Sequence, residues 1–115
     1  MSPYFVSQYF ADNFLVIEPL VDEPGIKLYG HVMGAHKIPL YLALKACRSQ
    51  HSDVTVDLTC VDHLAQSALE TLVAAARTLP SPGRLTLRTH PELDLPRRLT
   101  AHAWHGTQRL QLAEA

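Results

Sequence analysis

The stretch from Asp53 to Leu79, DVTVDLTCVDHLAQSALETLVAAARTL, constrains the fold more than any other part of the chain. Its β-branched run Val54-Thr55-Val56 leads into Asp57-Leu58 and reads as a strand. A polar, irregular connection is expected from Thr59 to Gln66. After it, Leu69, Leu72, Val73 and Ala76 recur at i, i+3, i+4 and i+7, the spacing of a helix with one buried stripe. Pro80 stops that helix, since it has no N–H to donate and its ring clashes with the preceding turn. A strand that hands over to a helix through a tight loop sets the loop's polar groups at the strand's carboxyl end, where α/β proteins usually bind.

The flanking segments repeat this alternation. Phe14 to Leu20 is expected as a first strand, and Ile26 to Val32 as a second, with the turn cluster Asp22-Glu23-Pro24-Gly25 between them. These two should pair as an antiparallel hairpin. A first helix is expected from Ile38 to Arg48, with Pro39 in its first turn and Leu40, Ala43, Leu44 and Cys47 as its apolar stripe. Beyond the central helix come a Pro80-Ser81-Pro82-Gly83 loop and a strand from Arg84 to Thr89. A last helical region follows from His90 through Leu99 and Ala103, with Trp104 as its anchor, and Leu110 to Leu112 closes the sheet. Residues 1 to 13 form a leader that holds Tyr4, Phe5, Tyr9 and Phe10, half of the aromatic residues of the chain. Two readings of it stand: an edge segment folded back on the sheet, or an arm that drives homodimerisation. The chain is thus divided into this leader and one domain from 14 to 115, of α/β class, with a mixed sheet of four or five strands and helices.

Composition narrows the function. With 115 residues there is room for one core of modest size. A net charge of −1 offers no basic footprint for nucleic acid. No apolar run approaches the ~20 residues of a membrane span, and the N-terminus lacks the pattern of a secretory signal. Two cysteines, Cys47 and Cys60, are too few for a disulfide framework, so both are read as reduced thiols of a cytoplasmic protein. Of the seven histidines only His102 and His105 have helical ligand spacing, and no carboxylate or thiol lies close in sequence to complete a metal site. No nucleophile motif and no glycine-rich phosphate loop is present, so neither an enzyme nor a cofactor is expected.

The central stretch resembles the STAS domain family, which includes the bacterial anti-sigma factor antagonists and modules attached to transporters. Val56-Asp57-Leu58-Thr59, Val61 to Leu64, Ala65-Gln66-Ser67-Ala68-Leu69 and Leu72 to Arg77 follow the family's hydrophobic frame. The chemical centre differs. Ala65-Gln66-Ser67-Ala68 stands where the family usually has Asp-Ser-Ser-Gly, so Gln66 holds the place of the phosphorylated serine. Met33 likewise stands where the family often has an acid. The resemblance implies a partner such as a kinase-like anti-sigma factor, docked through the loop and helix start, from Thr59 to Leu72. The partner-binding candidates are Thr59, Asp62, His63, Gln66, Ser67 and Glu70. The missing hydroxyl at Gln66 implies a divergent member without the usual phosphorylation switch.

Ser67 carries two readings. It is a candidate phosphoacceptor at a helix N-terminus. It is also the first residue of Ser67-Ala68-Leu69-Glu70, which has the form of a capping box. Asp57 is expected to accept N–H groups of the loop that follows it. Two functions outside antagonist-type binding stay open. One is a small-ligand sensor for a nucleotide or lipid, or a transporter accessory, with a pocket opened near Gln66 by Met33, Ala65 and Ala68. The other is a structural homo-oligomer.

Overall fold

The computed structural model describes residues 8–48, 53–79, 83–102 and 109–114. The strands are β1 (Phe10–Ala11), β2 (Leu15–Pro19), β3 (Gly25–Val32), β4 (Val54–Leu64), β5 (Leu85–Thr89) and β6 (Leu110–Glu114). The helices are α1 (Lys37–Arg48), α2 (Gln66–Arg77) and α3 (Leu95–Ala101). Single 3-10 turns, Gly34–His36 and Pro91–Leu93, follow β3 and β5. The six strands form one sheet in sequence order, β1 to β6. The first two pairings are antiparallel, and those from β3 to β6 are parallel.

Six strands exceed the expected four or five. Four of the six carry the expected pattern. The sixth, β6, is the short closing strand, extended to Glu114. The additional one is β1, two residues of the leader whose Phe10 pairs with Ile17. Tyr4, Phe5, Trp104 and His105 lie outside the described residues.

Sequential parallel strands joined by right-handed crossovers put their helices on one face of a sheet. The side chains agree. Leu15 and Ile17 of β2, Ile26 and Leu28 of β3, Val54, Val56 and Leu58 of β4, and Leu85 and Leu87 of β5 are almost wholly buried. They meet Leu40, Ala43, Leu44 and Cys47 of α1, Leu69, Leu72, Val73 and Ala76 of α2, and Leu95 and Leu99 of α3 in one core. Cys47 belongs to this core, and burial pushes its thiol pKa up. The residues in between point to the other face, which is polar. There Glu18, Lys27, Asp57 and Arg88 lie side by side across four strands with alternating sign. One wet face and one dry face explain the period-2 pattern of β2, β3 and β5.

The main correction concerns β4. The expected strand ends at Leu58, but the strand continues to Leu64, through residues expected to be an irregular connection. Two register shifts explain the difference. Lys27 pairs with Asp57 while Tyr29 pairs with Cys60, and Gly30 pairs with Val61 while His31 pairs with His63. Each shift inserts one extra residue into β4, as a β-bulge does. The inward-outward alternation slips twice, so the segment reads as irregular in sequence although it pairs to its end.

Candidate functional site

The two bulges deliver the chain to the start of α2 and aim its polar side chains outward. Cys60, Asp62 and His63 are exposed, while Val61 and Leu64 anchor the segment in the core. His63 lies beside His31, with ring centroids 6.3 Å apart. The N–H of Ala65 donates to the carbonyl of Val32 (2.8 Å), which fastens the last extended residue to β3 before the helix begins.

Ala65 is the N-cap of α2 and makes no side-chain capping bond. Gln66 and Ser67 are the first two helical residues. The expected capping box is therefore not formed: Ser67 sits inside the helix, two positions after the cap. The sheet decides this. Pairing holds Leu64 and Ala65 extended, and the helix starts at the next residue, whatever the local sequence prefers. Ser67 instead lies against the turn after β3, where a Cβ on Gly34 would come 2.9 Å from the Ser67 Oγ.

Asp57 accepts a backbone N–H as expected, but it lies inside β4 rather than at a strand end, and its donor, Thr59, belongs to the strand and not to a following loop. Its Oδ1 accepts the backbone N–H (2.9 Å) and the hydroxyl (2.6 Å) of Thr59. Its Oδ2 faces Arg88 Nη1 at 3.4 Å. Burial alone pushes the Asp57 carboxyl pKa up, but the Thr59 hydrogen bonds, Lys27 and Arg88 together bring it below the ordinary value. Arg88 also donates to Glu23 (2.7 Å), which accepts from Thr55 on its other oxygen (2.8 Å). Thr59 is thus bound into the sheet's own polar network.

α3 closes the site from the other side. Arg98 Nη2 donates to the carbonyl of Leu64 (2.7 Å) and to the Gln66 side-chain oxygen (3.3 Å). His90 Nε2 donates to the carbonyl of Val61 (3.0 Å). Between these anchors runs an open trough of about 530 Å³, lined by Asp62, His63, Gln66, Glu92, Arg97 and Arg98 among others. Asp62, His63, Gln66 and Glu70 are exposed, and Thr59 and Ser67 are half-buried. Ala68 is fully buried in the core and does not line this trough. Among the described residues no three or more His, Cys, Asp or Glu side chains gather to hold a metal ion.

Two features that carry the site are absent from the sequence reading. One is Arg98, which ties the β4–α2 junction to α3 and has no local sequence signal. The other is the pair Asp12 and His36. Asp12 accepts the N–H groups of Phe14 (2.7 Å) and Leu15 (2.8 Å), and its second oxygen lies 2.8 Å from His36 Nε2. His36 Nδ1 accepts the N–H of Met33 (2.9 Å), so the ring hydrogen lies on Nε2 and points at Asp12. His36 holds Asp12 below the usual carboxylate range, helped by the two backbone donors. This clip, of a buried His36 and an exposed Asp12, ties the turn that faces Ser67 to the segment before β2.

No protein-family model and no curated protein matches the sequence. The backbone is similar to that of an anti-sigma factor antagonist from Mycobacterium paratuberculosis, known from its crystal structure. The TM-score is 0.71 at 16% identity, over 88% of this chain and 88% of the other. The chain therefore has the STAS-like fold of an anti-sigma factor antagonist, reached with a very different sequence.

Proposed function

We propose that the chain is a non-catalytic, protein-binding regulatory module that docks its partner at the end of β4 and the start of α2. The observation that supports this most is the junction itself. In a fold like that of an antagonist, two bulges turn Asp62 and His63 outward beside Gln66 and Glu70, while hydrogen bonds to Arg98, His90 and Val32 fasten the backbone beneath them. A preformed polar surface of this kind suits a protein partner, because little ordering entropy is lost on docking. The partner class is a kinase-like anti-sigma factor, and the compartment is the cytoplasm. Among the described residues no helix is long and apolar enough to cross a membrane.

The usual serine switch is absent from this reading. Gln66 has no hydroxyl, its amide oxygen is engaged by Arg98, and Ser67 is turned toward Gly34. Titration calorimetry against the kinase-like anti-sigma factors of the same genome tests the first half. One of them should bind with a Kd of ~10 µM or tighter. Asp62→Arg and Glu70→Arg should each weaken it at least ~tenfold, or ~1.4 kcal/mol. Gln111→Ala, on the far strand, should leave it unchanged. The reading fails if no such protein binds or if the two charge reversals have no effect. Intact mass after incubation with the partner, ATP and Mg²⁺ tests the second half, and a stoichiometric phosphate on Ser67 would disprove it.

A further inference from the structure

Of the exposed large apolar side chains, three stand together on the outer face of α1: Ile38 (70% exposed), Tyr41 (47%) and Leu42 (56%). Between α1 and α2 lies a mainly apolar groove of about 360 Å³. Its α1 wall is large, with Ile38 and Tyr41, and its α2 wall is small, with Thr71 and Ala74. Lys37 and Glu70 stand at its mouth, and neither is in an ion pair among the described residues.

We propose that this face binds a second copy of the same chain about a two-fold axis that runs along the groove. The inference shares Glu70 with the partner docking described above, but its test uses the chain alone and its outcome does not turn on that docking. α1 and α2 each return between parallel strands, so they run in the same direction. Gly34, just before α1, lies against Ser67, in the first turn of α2, which fixes their relative height. Counting forward from that contact, Lys37 is level with Glu70, Ile38 with Thr71 and Tyr41 with Ala74. A two-fold axis along the groove preserves height and exchanges the walls. Lys37 of one copy then meets Glu70 of the other, and Tyr41 enters the space above the other copy's Ala74. Large faces small and positive faces negative, twice over, as a self-complementary interface requires. An axis across the helices would set large on large and small on small. Leu42 widens the apolar surface beyond the groove.

The test is sedimentation equilibrium of the full chain over roughly 5–500 µM, a range that captures weak dimers. The wild type should dimerise. Lys37→Glu and Glu70→Lys should each weaken the dimer ~tenfold or more by placing like charges together. The double variant, Lys37→Glu with Glu70→Lys, should restore it, because the exchanged pair reforms across the axis. Tyr41→Glu should give monomers and Tyr9→Ser should not. All these positions are exposed or half-exposed, and circular dichroism checks that each variant is folded. A wild type that is monomeric throughout, which would leave the groove to a different protein, overturns the proposal. So does a dimer indifferent to Tyr41→Glu, or a double variant no better than the single ones.

Discussion

At the start of α2 the serine that would cap the helix stands two positions too late. Ser67 therefore contributes no cap, and Ser67→Ala should change stability by less than ~0.5 kcal/mol, as for an ordinary half-exposed position. Its neighbour is the sensitive one. Gly34→Ala would bring a methyl group to 2.9 Å from the Ser67 hydroxyl and should cost about 1 kcal/mol. That cost should shrink when Ser67 is also Ala, and equal costs in both backgrounds in a double-mutant cycle would show that the two residues do not touch. The Asp12–His36 clip sets a second prediction. His36→Phe removes the partner of the Met33 N–H and of the exposed Asp12 carboxylate, and should lower the urea midpoint at neutral pH. The Asp12 carboxyl is held below its ordinary value in the fold. Its contribution is therefore complete above the unfolded carboxylate pKa of ~3.9 and is lost as pH falls through the lower folded value. The difference between wild type and His36→Phe in urea midpoints should narrow below about pH 4. A difference that stays constant down to pH 2 would contradict the linkage.

Among the elements, β4 carries the most. It is the central parallel strand, buried along Val54, Val56 and Leu58, and its two bulges shape the site. The approach of β3 to it depends on Gly25. There φ is +151°, and a Cβ would come 2.0 Å from the carbonyl oxygen of Thr55. At Gly30 φ is +101°, and a Cβ would meet the carbonyl oxygen of Phe14 at 2.3 Å. The closest clash at each glycine is with backbone, which cannot turn away, so the strands themselves must separate. Gly25→Ala and Gly30→Ala should each cost ~1–3 kcal/mol from backbone strain, with the steric clash added to that. Gly25→Ala loosens β3 from β4, and Gly30→Ala loosens β2 from β3. Hydrogen exchange should accordingly speed up first at Lys27 and Asp57 in the former and at Val16 and Tyr29 in the latter. Variants as stable as wild type would show that the strands have room to spare.

On the scale of the whole molecule, the helices cover one face of the sheet, and the other is left to a ladder of charges. The leader contributes to both ends of this arrangement. Phe10 pairs with Ile17 at the sheet edge and stacks edge-on with His36, while Asp12 holds the clip. Deleting residues 1–13 removes all three contacts. The melting temperature should fall by roughly 5–10 °C, given that 1 kcal/mol moves a domain of this size by a few degrees. Because the self-association proposed above uses α1 and α2, the deletion should leave the association state unchanged. A smaller assembly with an unchanged melting temperature would move the interface to the leader.

Hydrophobic periodicity and turn residues determined the element order from β2 onward, the α/β class and the core positions of both long helices, because each is recorded in local spacing. The resemblance of Val56 to Arg77 to the STAS family carried the fold further, since an apolar frame survives where chemical groups are exchanged. The length of β4, the true start of α2 and the roles of Arg98, Asp12 and His36 were decided only by the tertiary structure. Pairing with β3 overrides local preference: a strand end paired to β3 on one side and held by the His90 and Arg98 side chains on the other outweighs a capping box worth ~1 kcal/mol. A bulge leaves no mark in sequence beyond a broken alternation. The partners 24 residues apart at Asp12 and His36, or 34 apart at Leu64 and Arg98, become neighbours only once the sheet has brought its strands together.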